Sequence, residues 1–181
     1  MPRVLVIGLG NVLLGDEALG PEVVRVLESR YRFPDDVQLL EIGTQGLNLV
    51  PFLEGAEALV AVNSLHAPGR PGEVRVLDRE AVMRADPEYR MSPHAFGLRA
   101  HLETLEFAGA APRQVFVVGA VPADVELRSG LTPALKEAVP RVMAEVLSVL
   151  GRLGADASPR EPPLPLDLFW DPDPVAGPPK G

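Results

Sequence analysis

Apolar and polar positions alternate along this chain in two rhythms. "RVLVI" (3–7) and "ALVAVNS" (58–64) are short, rich in branched residues and apolar on both faces, the pattern of strands buried inside a parallel sheet. "VQLLEI" (37–42) and "QVFVVGAV" (114–121) continue that set. "GEVRVLD" (72–78) alternates instead, as a strand with one solvated face does. Between the strands the period lengthens to that of a helix. Val23, Val24, Val26, Leu27 and Tyr31 follow Pro21 at helical spacing until "FPDD" ends the run. "LNLVPFLEG" predicts a short helix interrupted near Pro51, and residues 97–108 predict another. "TPALKEAVPRVMAEVLSVLGRL" closes the domain as a helix opened by Pro133, with Pro140 a candidate kink and Gly154 just past its end. Strands alternating with helices predict an α/β sheet covered on both faces, with ligands outside the carboxyl ends of its strands.

From residue 158 the pattern stops. "SPREPPLPLDLFWDPDPVAGPPKG" holds eight of the 20 prolines and the one tryptophan, a density that predicts no regular secondary structure. The chain is therefore read as a domain over 1–157 and a proline-rich tail over 158–181. Leu166, Leu168, Phe169 and Trp170 are too apolar for a solvated tail. Packing on their own domain is the preferred reading; the other is contact with a partner, a second copy of the chain included.

Composition narrows the function. The 181 residues suit one domain with a real core, and the formal charge of −8 argues against nucleic-acid binding, which rests on basic residues neutralising phosphates. There is no cysteine, which excludes disulfides, thiolate metal sites and cysteine nucleophiles. The apolar run in "MPRVLVIGLG" is too short for a signal peptide, and no stretch is long enough to span a bilayer, so a cytoplasmic protein with no membrane partner is expected.

Three loops leaving strand ends carry polar residues: "GNVLLGDE", "GTQG" (43–46) and "NSLHAPG". The first resembles a dinucleotide-binding turn, but that fingerprint needs a third glycine where Leu13 stands. Two acids, Asp16 and Glu17, also occupy its end, where a phosphate is repelled, and Glu41 alone is a weak ribose-binding signal. Asn11 can tie the turn to itself, and of the two acids one can serve the turn or the helix end while the other faces the crevice as a metal ligand or general base.

"GLGNVLLGDEALG" (8–20) resembles the opening signature of the hydrogenase maturation endopeptidases, and "GTQG", "SPHAFGL" (92–98) and "GLTPAL" (130–135) agree with the family in order and spacing. The resemblance runs from residue 3 to about 155. It implies a three-layer α/β/α sandwich around a five-stranded, mostly parallel sheet with one antiparallel strand, best matched by 73–77. It also implies an endopeptidase that removes the C-terminal extension of a nickel–iron hydrogenase large-subunit precursor. Nickel is then carried by the substrate, with cadmium or zinc as stand-ins in vitro. The implied metal-contacting and catalytic positions are Glu17, Asn63 and His94, which leaves Asn11 and Asp16 to hold the turn.

Asn63 stands where the family pattern has aspartate. An amide keeps the shape and a carbonyl oxygen but loses the charge, and it cannot act as a base. Three readings follow: an active endopeptidase that tolerates the change, which is favoured; a docking protein of the same fold that no longer cleaves; or a hydrolase with another substrate. His66 is a candidate replacement ligand, although a solvated loop histidine beside Ala67 and Pro68 is the preferred reading. His101 is expected as an ordinary helix residue. Pairing of Ser64 or Ser92 with His94 lacks a nucleophile elbow to support it.

Overall fold

The computed structural model describes residues 3–43, 48–84, 90–91 and 97–166. Its strands are β1 (Val4–Leu9), β2 (Tyr31–Arg32), β3 (Val37–Gly43), β4 (Ala58–His66), β5 (Val74–Asp78), β6 (Arg90–Met91), β7 (Gln114–Ala120) and β8 (Ser158–Pro159). The helices are α1 (Leu19–Arg30), α2 (Val50–Leu53), α3 (Arg79–Arg84), α4 (Gly97–Phe107) and α5 (Pro133–Arg152), with a 3-10 turn at Gly15–Ala18.

Five strands form the main sheet in the order β3-β1-β4-β7-β5. β3, β1, β4 and β7 run parallel, and β5 pairs antiparallel with β7, as its alternating pattern and the family resemblance imply. Side chains leave each strand to alternate faces. Val4 and Val6 of β1 and Val60 and Val62 of β4 meet Val23, Leu27, Val139 and Val146 of α1 and α5. Leu5, Ile7, Leu59 and Ala61 point the other way, onto Leu53, Leu98 and Leu102 of α2 and α4. One sheet between two helical layers results.

The connections explain where a site can form. After β1 the chain crosses to β3 on one side, and after β3 it returns to β4 on the other. Between β1 and β4 the two connections diverge, which opens a crevice at the carboxyl ends of those strands. At its floor α1 presses onto the sheet without a side chain in between. A Cβ on Gly20 would stand 2.3 Å from the carbonyl oxygens of both Leu9 and Val62, and one on Gly8 would stand 2.5 Å from that of Gly20. Close helix–strand approach is what the third glycine of a dinucleotide fingerprint provides. Here Gly20 does it, beyond a longer turn.

The structure revises several boundaries. β4 runs on to His66, because after Ser64 its edge is taken over by β6, which pairs Met91 with Leu65 and Arg90 with His66. Asn63, Ser64 and His66 are strand residues in consequence. Pro51 does not interrupt α2; it lies in the first turn, where an N–H has no helical partner to lose. α5 continues through Pro140, which sits on its exposed face.

The proline-rich segment does contain regular pairing. Ser158–Pro159 lies antiparallel to Tyr31–Arg32, an edge position where proline is tolerated. Arg160 N–H then donates to Arg30 O at 2.7 Å, and Ser29 and Leu164 exchange two hydrogen bonds, Leu164 N–H to Ser29 O at 2.9 Å and Ser29 Oγ–H to Leu164 O at 2.6 Å. Leu166 packs against the α1/α5 core, whereas Leu168, Phe169 and Trp170 lie outside the described residues.

Gly20→Ala should lower stability by about 3 kcal/mol, since backbone atoms of two strands cannot yield to an added methyl group. Urea unfolding monitored by circular dichroism reads this directly. Gly109→Ala, at a positive-φ glycine with open space around its Cβ position, should cost about 1 kcal/mol.

Candidate functional site

The turn after β1 is held from two directions. Its own amide side chain closes it: Leu13 N–H donates to Asn11 Oδ1 at 3.0 Å. The loop between β7 and α5 then grips it from outside, through Gly15 N–H to Arg128 O at 3.0 Å, Asp16 N–H to Asp124 O at 2.9 Å, and Arg128 N–H to Leu13 O at 3.1 Å.

Asp16 is the centre of this grip. Its carboxylate is fully buried and accepts four hydrogen bonds. Oδ2 receives Ala123 N–H at 2.7 Å, Asp124 N–H at 3.0 Å and the Thr132 hydroxyl at 2.9 Å, while Oδ1 receives Thr132 N–H at 2.7 Å. Thr132 is the N-cap of α5, yet its hydroxyl serves Asp16 rather than the helix. The carboxylate therefore sits at the positive end of α5, not of α1, and is stabilised by that dipole as well as by its donors. Asp16 holds the turn, as predicted. Its partner Thr132 was marked only as part of "GLTPAL", since nothing in local spacing links residues 116 positions apart.

Glu17 points elsewhere. Its side chain is buried, and Oε1 lies 4.0 Å from Nε2 of His66 at the end of β4. Gly10 makes the room: a Cβ there would stand 1.9 Å from the Glu17 carbonyl oxygen and 3.6 Å from Asn63 Oδ1, and its φ of +140° is one that side chains rarely adopt. Asn63 is fully buried. Its Oδ1 accepts Ser64 N–H at 2.9 Å, which fixes the amide's orientation, and its Nδ2 has no hydrogen-bond partner among the described residues.

His66 is not a solvated loop residue. Its side chain is 33% exposed, but the Nε2 atom is buried and has no hydrogen-bond partner among the described residues. Burial holds the imidazole pKa below its usual value, which favours the neutral ring with a lone pair to offer. His101 lies on α4, partly buried, as expected of a helix residue. His94, Ser92 and Thr44 to Gly46 of "GTQG" lie outside the described residues. Among the described residues no group of three or more acidic or histidine side chains is placed to hold a metal ion, so the crevice there offers Glu17 and His66 as a pair.

A family model for hydrogenase maturation proteases matches residues 21–149. The chain belongs to that family. It is 36% identical over 160 residues to the hydrogenase 2 maturation protease of Escherichia coli, covering 88% of this chain and 97% of that protein. It is 35% identical over 176 residues to the hydrogenase expression/formation protein HoxM of Azotobacter vinelandii, covering 92% and 84%. Its fold superposes on the hydrogenase maturating endopeptidase HybD from E. coli with a TM-score of 0.81 at 34% identity, covering 88% of this chain and 98% of that one. Membership of the hydrogenase maturation protease family makes this chain a peptidase. Among the described residues no helix is long and apolar enough to cross a membrane.

Asp16→Ala should destabilise the protein by about 4 kcal/mol, because it leaves three backbone N–H groups without their acceptor. Thr132→Ala keeps its backbone N–H and should cost about 1 kcal/mol. Thermal unfolding of the two variants side by side gives the ratio.

Proposed function

We propose that this protein is the endopeptidase that removes the C-terminal extension of a nickel–iron hydrogenase large-subunit precursor, acting in the cytoplasm on precursor already loaded with nickel. The observation that carries the reading is the placement of Glu17: a buried carboxylate next to the Asp16 grip, at the mouth of the crevice between β1 and β4. A carboxylate and imidazoles from separate elements suit a borderline ion such as nickel.

In this reading the metal belongs to the substrate. Glu17 and His94, with Asn63 beside them, contact it and bring the scissile peptide into the crevice. Metal polarisation of a carbonyl or of a water supplies the electrophile or nucleophile. Asn63 contributes as a donor, since Nδ2 is the amide atom left over once Oδ1 has accepted Ser64 N–H. Two exposed leucines give the rim an apolar character fit for a protein substrate: Leu13 is 59% exposed, Leu127 is 82% exposed, and their segments are joined by the Arg128-to-Leu13 hydrogen bond.

Asn63 supports a second reading, in which the chain binds the precursor without cutting it. The two separate cleanly. Incubated with nickel-loaded precursor and followed by mass spectrometry, the wild type should release the C-terminal peptide. Glu17→Gln and His94→Ala should each slow release at least a hundredfold, about 2.7 kcal/mol in the barrier, and Asn63→Asp should speed it severalfold. A wild type that binds the precursor and leaves its length unchanged is a docking protein.

A further inference from the structure

The end of β4 carries a histidine that the proposed reaction does not use. His66 lies on the α1 face of the sheet, since β4 sends Val60 and Val62 to that face and residues of the same parity follow them. Glu17 reaches the same place from the turn before α1. The two side chains approach to 4.0 Å between Oε1 and Nε2.

That separation is too long for a hydrogen bond, which needs about 2.7–3.2 Å. It is close to what two ligands of one ion require. With metal–nitrogen and metal–oxygen bonds of about 2.1 Å, two donors across a tetrahedral angle stand about 3.4 Å apart. A shift of roughly half an ångström in one side chain therefore brings both onto a single ion. Nε2 is meanwhile a buried nitrogen with no hydrogen-bond partner among the described residues, a condition that calls for a reason. Position 63 supplies no anionic donor, because Asn63 is neutral and engages Oδ1 with its own chain.

We propose that His66 is a metal-contacting residue of this crevice, paired with Glu17, and that its imidazole does the work a carboxylate at position 63 would otherwise do. The ion is a divalent late transition metal presented by the peptide substrate, and free cadmium is its probe. The inference rests on the crevice reading proposed above, but it concerns a different residue and can fail alone.

The test is calorimetric titration of cadmium into the full chain as wild type, Glu17→Gln, His66→Ala, His66→Gln and Asn63→Asp/His66→Ala. Melting temperatures confirm that each variant is folded. One ion should bind the wild type. Either single change at His66 should weaken binding at least tenfold, as should Glu17→Gln, and the added aspartate should restore most of what His66→Ala loses. X-ray absorption of nickel-loaded wild type should count one more imidazole than the same measurement on His66→Ala.

If the His66 variants bind cadmium like the wild type while Glu17→Gln does not, His66 is no ligand and the crevice reading stands without it. A loss at His66 that aspartate does not restore, with an unchanged imidazole count, assigns it a structural role and overturns the proposal. A wild type that binds no cadmium overturns it too; precursor cleavage by Glu17→Gln then decides the earlier reading separately.

Discussion

A buried carboxylate with four donors holds the rest of the site in place. Removing the Asp16 charge from water is costly, and the structure offsets that with three backbone N–H groups, one hydroxyl and the amino end of α5. The donors come from the β7–α5 loop, so the turn after β1 cannot move without that loop. Because neighbouring residues in a tight turn point in different directions, fixing Asp16 inward also fixes where Glu17 goes. The position of Glu17 is thus a consequence of that of Asp16.

The same turn explains why a glycine-rich loop at the end of a first strand is not always a phosphate cradle. Glycines at 8, 10 and 20 serve backbone approach: α1 against β1 and β4, and the Glu17 carbonyl against the Asn63 side of the crevice. None of these contacts needs an anion. Of the two acids that follow, Asp16 is satisfied by the β7–α5 loop and Glu17 is left to meet His66.

Asn63 and His66 belong to one strand end and both border the turn that carries Glu17: the Asn63 amide oxygen lies beside Gly10, against which the Glu17 carbonyl packs, and the His66 ring approaches the Glu17 carboxylate. The amide at 63 has its oxygen turned toward Ser64 N–H, whereas the imidazole at 66 meets the Glu17 side chain. Burial of the His66 ring holds its pKa below the usual imidazole value.

The sequence by itself determined the layered α/β fold, the five main strands and the antiparallel one among them. The strands and helices follow from local periodicity, since burial on both faces leaves little choice of period, while the five-stranded sheet with its antiparallel member comes from the family resemblance. It also marked Asp16 and Glu17 as neighbouring acids that point different ways, and the structure buries Asp16 among the donors that hold the turn. What it did not determine were the features made by distant residues. The two-residue strands β2, β6 and β8 carry too few positions to show a pattern, and the Asp16–Thr132 contact joins segments with no local sign of each other. The extension of β4 through His66 depends on β6 arriving to cover its edge. That single tertiary pairing turns His66 from a loop residue into the neighbour of Glu17, because the reach of a side chain is set by where the backbone is pinned, and the pin lies 24 to 26 residues away in the chain.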